Sequence, residues 1–149
     1  MVPFGGWEMP LQYTGVIEEH RACRTDAVVF DVSHLGTLEC TGPGAFDLLQ
    51  YMLTNDLRKI EPGRAQYTHL LDPGDAHVVD DIIVWWVAGE RFLVMPNASN
   101  TDRITAAFTE GAGRAGAEVA IADVTAGRAV LAVQGPNARE RLAAVAPGA

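Results

Sequence analysis

The stretch VVDDIIVWWV at residues 78–87 decides the fold, because its β-branched and aromatic residues predict the best-defined strand of the chain. Residues 65–71 alternate in hydrophobicity and precede it across the turn-forming cluster DPGD at 72–75. Residues 91–95 follow it across the short segment 88–90. Because short turns join strands that run in opposite directions, these segments predict an antiparallel sheet.

Helical segments interrupt the predicted strands. Pro43 and Pro136 fit the first positions of helices, and Thr14 and Asn100 are candidate N-caps. The predicted helices span residues 15–24, 43–53, 100–110 and 136–145, and the other predicted strands span residues 28–32, 36–41, 118–124 and 128–133. The sequence therefore predicts an α+β fold, with antiparallel sheets and flanking helices. The pattern leaves open whether the chain forms one compact unit or pieces of two domains.

Composition excludes several classes of protein. The chain has 149 residues, of which 48% are hydrophobic and 20% are charged, as is usual for a globular domain. Its net charge of −8 argues against a nucleic-acid partner. No apolar run approaches the roughly 20 residues of a membrane-spanning helix, so no membrane partner is expected.

The cysteines and the first residues bear on cellular location. Cys23 and Cys40 have no CxxC spacing and suggest no disulfide framework, which favours a reducing compartment. The opening MVPFGGWEMP lacks the basic and apolar regions of a signal peptide. We therefore expect a cytoplasmic protein.

Three motif-like patterns have simpler structural explanations. Residues 111–116 match GxGxxG, but a predicted helix precedes them and a predicted strand follows, which is the reverse of a dinucleotide-binding turn. Asp31, Ser33 and His34 have the composition of a catalytic triad, but neighbouring side chains on a strand point to opposite faces. The acids of the 72–75 cluster fit a turn, and no histidine spacing matches a metal site, so no metal is expected.

Asp80 and Asp81 stand inside an otherwise apolar strand. The two-residue period of a strand places Asp81 on one face together with Ile83 and Trp85, and places Asp80 on the opposite face. A buried carboxylate is costly unless it is hydrogen-bonded, so Asp81 is either a satisfied structural residue or a functional one, unless the strand begins only at Ile82. The face that bears Asp81 combines a hydrogen-bond acceptor, an aliphatic wall and an aromatic plate. A flat heteroaromatic ligand needs this mixture.

Tyr67 and Asn97 are further candidates for the same site. Tyr67 lies in the preceding strand, where its hydroxyl can make a second polar contact; the alternative is an ordinary core tyrosine. Asn97 follows a strand end at Pro96, where loop residues often carry function; the alternative is a turn-forming asparagine.

Short motifs in a fixed order resemble one protein family. Its opening F-x-G-W-E-M-P, its helix E-E-H-x-x-x-R and its segment F-D-V-S-H-M-G correspond to residues 4–10, 18–24 and 30–36, with Leu35 in place of Met. Further matches are Thr54-Asn55-Asp56, Tyr67, Asp80-Asp81, Asn97-Ala98-Ser99-Asn100 and Gln134-Gly135-Pro136. The ordered set resembles the aminomethyltransferases, the folate-dependent T-proteins of the glycine cleavage system.

The resemblance implies an enzyme with two partners. Members of this family take an aminomethyl group carried on the lipoyl arm of H-protein, transfer its one-carbon unit to tetrahydrofolate and release ammonia. The resemblance therefore implies a tetrahydrofolate-dependent aminomethyltransferase of glycine catabolism, with lipoyl-bearing H-protein and folate as partners and without a metal. Two alternatives stay open: a non-catalytic folate-binding relative of the iron–sulfur maintenance type, and the tail domain of a dimethylglycine or sarcosine oxidase.

The resemblance also implies the residues of the site. The aspartate that matches Asp81 contacts the pterin and helps to position and activate the attacking folate nitrogen, so Asp81 is the expected catalytic residue. Tyr67, Ile83, Trp85 and Asn97 match further folate-contacting positions. Trp85 stands where Tyr is common, so the resemblance supports stacking there but not a hydrogen bond.

Members of the family are more than twice as long as this chain, and they fold as three domains around a central folate channel. We therefore expect residues 1–149 to be a partial folate-binding N-terminal region of a longer three-domain protein, without its start and its C-terminal half. The resemblance places the acidic and arginine residues that complete the folate site in the missing part. The fragment alone is expected to be inactive.

Overall fold

The computed structural model describes residues 1–148, and the chain divides into two compact units. The first unit comprises Met1–His34 together with the segment from Ala129 onward, and the second unit comprises Leu35–Arg128. Within the described residues, no helix is long and apolar enough to cross a membrane.

Strands and helices alternate along the chain. In chain order the elements are β1 (Val2–Phe4), β2 (Trp7–Met9), α1 (Val16–Thr25), β3 (Val28–Asp31), β4 (Leu38–Thr41), α2 (Ala45–Met52), β5 (Arg64–Leu71), β6 (Val78–Ala88), β7 (Arg91–Met95), α3 (Thr101–Ala115), β8 (Ala120–Asp123), β9 (Leu131–Gln134) and α4 (Ala138–Val145). Short 3-10 helices lie at Leu57–Lys59, Ala98–Asn100 and Thr125–Gly127.

The second unit is built on a five-stranded sheet in the order β5-β6-β7-β4-β8. Every neighbouring pair of strands in this sheet is antiparallel. The predicted hairpins β5–β6 and β6–β7 are both present, with Tyr67 opposite Ile83 and Ile83 opposite Met95. The predicted α+β fold with antiparallel sheets and flanking helices is therefore confirmed.

Helices α2 and α3 cover one face of this sheet and form the hydrophobic core with it. The core residues are Leu38, Cys40, Ala45, Leu49, Leu53, Leu57, Leu70, Ile82, Val84, Phe92, Val94, Ile104 and Phe108. Each large side chain buried in this way stabilises the fold by about 1.5–3 kcal/mol. Burial also raises the pKa of the Cys40 thiol to about 12, so this cysteine stays protonated inside the core.

Helix α3 is longer than the sequence predicted. The expected end at residue 110 was wrong, because Gly111 continues the helix on its buried side, where the absence of a side chain leaves room for Met52 of α2. The helix ends at Gly116, which takes the left-handed conformation (φ 61°) of a C-cap. The GxGxxG pattern thus lies within a helix and its cap, and not in a strand-to-helix turn.

One of the two predicted caps was wrong. Thr14 does not cap α1; instead the Glu19 carboxylate accepts the backbone N–H groups of Tyr13, Thr14 and Gly15 at 2.6, 2.6 and 3.0 Å. These three donors lower the pKa of Glu19. Asn100 occupies the N-cap position of α3, as predicted, but its side chain makes no capping hydrogen bond, and its Nδ2 donates instead to the Val79 carbonyl at 3.4 Å.

The remaining differences are at element ends. The helices expected to open at Pro43 and Pro136 begin two residues later, at Ala45 and Ala138. Strand β4 begins at Leu38. The preceding Gly36 still donates its N–H to the carbonyl of Pro96, its register partner beyond β7, at 3.0 Å, but Pro96 has no N–H to return. The strands expected at residues 118–124 and 128–133 are shorter, or shifted, as β8 and β9.

The first unit has a different character. It contains the hairpin β1–β2, the antiparallel pair β3–β9, and the helices α1 and α4. Asp26 anchors α4 through a two-pronged ion pair with Arg141 at 3.0 and 3.1 Å and through the Asn137 amide. No described residue of this unit is fully buried, and Phe4, Tyr13 and Ile17 are exposed.

Two glycines of the second unit allow a paired test of the packing. Any side chain at Gly36 would overlap Thr101 Oγ1 and the Pro96 ring, whereas a side chain at Gly113 meets open space inside a helix. We expect Gly36→Ala to destabilise the fold by about 1–3 kcal/mol through overpacking. Gly113→Ala should stabilise it by about 0.5–1 kcal/mol, because alanine loses less backbone entropy on forming a helix.

The measurement is urea unfolding of the full-length protein carrying each substitution. The two midpoints should move in opposite directions from that of the unsubstituted protein. A Gly36→Ala midpoint at or above that reference would contradict the close approach described at residue 36.

Candidate functional site

Strand β6 presents its two aspartates to opposite faces of the sheet. Asp80 is only 4% exposed and lies on the face that packs against the helices, together with the fully buried Ile82 and Val84. Asp81 lies on the other face, which is open, and Trp85 on that face is 43% exposed. The two-face assignment predicted from the period of the strand is confirmed.

Two neighbours hold the Asp81 carboxylate from different sides. The Tyr67 hydroxyl on β5 donates to Asp81 Oδ2 at 2.9 Å, and the Asn97 Nδ2 donates to Asp81 Oδ1 at 3.1 Å. Tyr67 reaches Asp81 diagonally, because its direct cross-strand partner is Ile83 and Asp81 lies two residues away on the same face. The structure thus joins Tyr67, Asp81 and Asn97, three of the predicted site residues, in one hydrogen-bonded group.

These contacts keep Asp81 ionised. The hydrogen bond from Tyr67 is the largest influence lowering the pKa of Asp81; Asn97 and the charge of His69 act in the same direction, against a partial opposing effect of desolvation. The same bond raises the pKa of Tyr67, because the phenol is needed as a donor. Asp81 is therefore a hydrogen-bond acceptor with a fixed negative charge at neutral pH.

An aromatic and aliphatic surface lies beside this carboxylate. Tyr67 is 58% exposed, so the alternative of an ordinary core tyrosine is wrong. Ile83 is half-buried between Asp81 and Trp85 on the same face of β6. The face therefore offers an ionised acceptor, a hydroxyl, an aliphatic wall and two accessible rings along one side of two adjacent strands, an arrangement that suits a flat ligand with N–H groups.

Asp80 and His69 also belong to this neighbourhood, although sequence reasoning did not assign them to the site. The buried Asp80 accepts the Asn97 backbone N–H at 2.9 Å and the Asn97 Nδ2 at 2.7 Å. His69 lies directly opposite Asp81 across the β5–β6 pair and is exposed. The sequence contained a signal for each residue. A buried acid such as Asp80 needs hydrogen-bond donors nearby, and His69 lies two residues after Tyr67, so both side chains lie on the same face of the strand.

Asn97 begins a turn through its backbone and contacts the two acids through its side chain. It follows β7 at the start of a short 3-10 helix, and its backbone carbonyl accepts the Asn100 N–H at 2.9 Å. Its side chain lies between the carboxylates of Asp80 and Asp81. The amide end that faces two acceptors must be the NH₂ end, which settles the orientation of the side chain.

The residues that imitate a catalytic triad have a structural role. The hydrogen bond from the Ser33 side chain lowers the pKa of Asp31 most. The Ser33 backbone N–H, which donates to the Asp31 carboxylate at 2.9 Å, lowers it further. The Ser33 hydroxyl accepts the Val130 N–H at 2.9 Å. Ser33 therefore connects the two segments of the first unit, and the expectation of a structural role is confirmed.

A second cluster of polar groups lies in the β5–β6 turn. Ligating atoms of Asp72, Asp75 and His77 lie within 4.8 Å of one another. Their contacts are those of the turn itself: Asp72 accepts the Gly74 N–H at 2.8 Å, and Asp75 accepts the His77 N–H at 3.1 Å and pairs with its ring at 2.5 Å. The two acids serve as the turn residues that the sequence predicted.

Comparison with known proteins relates this geometry to a family. The family model described as the GCVT N-terminal domain matches residues 1–149. The aminomethyltransferase of Symbiobacterium thermophilum is 46% identical over 149 residues, which cover 99% of this chain and 40% of that protein. The aminomethyltransferase of Frankia alni is 47% identical over 147 residues, which cover 97% of this chain and 39% of that protein.

The fold is shared with a solved structure. The crystal structure of the glycine cleavage system aminomethyltransferase T from Bartonella henselae matches with a TM-score of 0.87 at 35% identity, over 96% of this chain and 38% of that one. The chain thus spans about two fifths of the length of the relatives it matches. On the family model, the identities and the shared fold together, the chain belongs to the GCVT N-terminal domain family.

Proposed function

We propose that the chain is the folate-binding N-terminal region of a tetrahydrofolate-dependent aminomethyltransferase of the glycine cleavage system. The observation that carries the proposal is the ionised Asp81 carboxylate, held by Tyr67 and Asn97 on an open face beside Trp85. The relatives described above, which share 35–47% of the aligned residues, are named aminomethyltransferases, and this supports an enzyme over a binding module.

The open face suits the pterin end of folate. A pterin is flat and carries ring N–H groups, which require an acceptor in the plane and a surface to stack on. Asp81 has lone pairs beyond the two that accept Tyr67 and Asn97, because each carboxylate oxygen can accept two hydrogen bonds. Trp85 and Ile83 supply the aromatic plate and the aliphatic wall next to it.

Folate supplies the nitrogen that accepts the one-carbon unit, and this chain supplies position and charge. A hydrogen bond to a charged acceptor contributes about 1.5–3 kcal/mol, and fixing the ligand in line with its reaction partner adds to the lowering of the barrier. The lowered pKa makes Asp81 a weak base. Its role is therefore to orient donor groups and to stabilise positive charge, and not to hold a removed proton.

The proposal includes parts that lie beyond this chain. The relatives are about two and a half times as long, so we infer that residues 1–149 form a partial N-terminal region of a three-domain protein. The anionic glutamate tail of folate needs cations, and a chain of net charge −8 leaves these to the rest of the protein. Lipoyl-bearing H-protein is the proposed second partner, and the cytoplasm the proposed location.

Removal of the Asp81 charge tests the proposal. In the full-length protein, Asp81→Asn should lower kcat by about 100-fold or more, because it removes a preorganised charge from the reacting centre. The assay measures ammonia released from aminomethylated H-protein in the presence of tetrahydrofolate. Stability should change little, because Asp81 is exposed. Asp47→Asn, on the exposed side of α2, is the matched control and should keep full activity.

The outcome separates the proposal from its alternatives. Unchanged turnover in Asp81→Asn would remove this residue from the mechanism. Tight folate binding by the unsubstituted protein, without any release of ammonia from aminomethylated H-protein, would favour the non-catalytic relative.

Loss of the Tyr67 hydroxyl should shift the titration of Asp81. Tyr67→Phe removes the largest cause of the lowered pKa, so the pKa of Asp81 should rise towards its ordinary value of about 3.9. Folate affinity depends on the ionised form, so it is present above this pKa and lost as the pH falls through it. The acid limit of binding should therefore move to higher pH in Tyr67→Phe. The measurement is a carbon-13 NMR titration of Asp81; Tyr51→Phe, at an 80% exposed position, should leave the titration unchanged.

The isolated 149 residues should not catalyse the reaction. The reason is that the relatives are about two and a half times as long, and the resemblance places the acidic and arginine residues that complete the folate site beyond this chain. The same ammonia-release assay on residues 1–149 alone checks this, with the full-length protein as the positive control. Turnover by the fragment would show that the site is complete within this chain.

A further inference from the structure

Both oxygens of the Asp80 carboxylate accept hydrogen bonds from Asn97. Oδ2 accepts the Asn97 backbone N–H at 2.9 Å, and Oδ1 accepts the Asn97 Nδ2 at 2.7 Å. Asp80 is only 4% exposed, so it lies on the core side of the sheet and away from the open face. These two bonds attach the loop after β7 to β6 at the level of the site.

The Asn97 amide continues this contact to Asp81. The same Nδ2 that donates to Asp80 lies 3.1 Å from Asp81 Oδ1 and, less favourably, 3.3 Å from the Asp81 carbonyl oxygen. An NH₂ group has two hydrogens, so one amide can serve both carboxylates. If the Asn97 side chain were reversed, its carbonyl would face Asp80 Oδ1, acceptor against acceptor. Asp80 therefore determines which end of the Asn97 amide is presented to Asp81.

We propose that Asp80 is a positioning residue that orients the Asp81 carboxylate through the Asn97 amide. The inference deepens the proposed function, because it rests on Asp81 being the group that meets the ligand. Tyr67 fixes one oxygen of that carboxylate from β5, and the Asp80–Asn97 pair fixes the other from the β7 side. With both oxygens held, the free lone pairs point in set directions.

The simpler alternative is that Asp80 only holds the loop in place through the Asn97 backbone. The substitution Asp80→Asn distinguishes the two roles. The new amide keeps the size of the side chain, and its oxygen can still accept the Asn97 backbone N–H. Its NH₂ replaces the acceptor that faced the Asn97 Nδ2, so the Asn97 amide must reverse. The Asn97 carbonyl then faces Asp81 Oδ1, and Asp81 loses a donor.

The two roles predict shifts of opposite sign for the pKa of Asp81 in Asp80→Asn. The titratable or charged groups around it are Tyr67 and His69 on β5 and Asp80 on β6. If Asp80 only held the loop through the Asn97 backbone, it would influence Asp81 only as a nearby negative charge, and its removal would lower the pKa of Asp81. If Asp80 acts through Asn97, the lost donor raises that pKa.

The experiment uses the full-length protein and two readouts. A carbon-13 NMR titration of ligand-free Asp81 should show a raised pKa in Asp80→Asn. Steady-state assays against pH should show kcat lowered by about 10- to 100-fold, with a smaller change in KM for tetrahydrofolate and the acid limb moved to higher pH. Asp47→Asn is again the control for loss of an acid, and neither readout should change in it.

Asn97→Ala provides the second test, and it is informative even if Asp80→Asn fails to fold. It removes the amide while leaving Asp80 its bond to the backbone N–H, and it should raise the pKa of Asp81. Adding Asp80→Asn to Asn97→Ala should then lower or leave that pKa, because only the charge effect remains. An unchanged Asp81 pKa in Asn97→Ala, or a lowered one in Asp80→Asn with kcat equal to the control, overturns the proposal.

The NMR readout needs no substrate, so it separates this inference from the proposed function. If Asp81→Asn keeps its turnover while the pKa of Asp81 still rises in Asp80→Asn, the positioning role stands and the reaction assigned to the site is wrong. If Asp81→Asn abolishes turnover while Asp80→Asn leaves pKa and kcat unchanged, the reaction stands and the positioning role is wrong.

Discussion

A carboxylate inside a core of sheet and helices must find hydrogen-bond donors, and Asp80 finds both of its donors on a single residue, Asn97. This requirement determines where the loop after β7 runs. It also brings an amide to the edge of the open face, next to Asp81. An interaction that satisfies a buried acid thus also places a polar group at the open face, beside the second of the two adjacent acids.

The sheet can host such a site because its two faces differ. Helices α2 and α3 cover one face, where the apolar members of β6 lie fully buried, and the other face keeps Tyr67 and Trp85 accessible. The alternation of side chains along β6 therefore separates the residues that build the core from the residues of the proposed site. Substitutions on the open face should cost the core little, whereas Asp80 is buried in the core and also contacts the Asn97 amide that reaches Asp81.

Much of this arrangement could be predicted from residues alone, because the period of a strand is short and strict. The face of Asp81, its companions Ile83 and Trp85, and the hairpins around them follow from the alternation. Contacts between residues that are distant in sequence could not be predicted from this alternation. The Tyr67–Asp81 hydrogen bond depends on the register of β5 and β6, and the Asp80–Asn97 hydrogen bonds depend on the path of the loop after β7. The capping role of Glu19 was missed because its carboxylate accepts backbone N–H groups that precede the helix, and the extension of α3 past residue 110 was missed because the packing of Gly111 against Met52 outweighs the low helix propensity of glycine. The ligand itself came from resemblance, since a surface for flat heterocycles does not specify folate.

The pairing of β3 with β9 has a consequence for how the chain is made. Val28 lies opposite Gln134, so β3 leaves the ribosome roughly 100 residues before its partner, whereas the sheet of the second unit closes within the intervening segment. At about 5–20 residues per second, β3 waits on the order of 5–20 s with its edges unpaired. The second unit can thus acquire its structure during synthesis, before β3 of the first unit has met its partner strand.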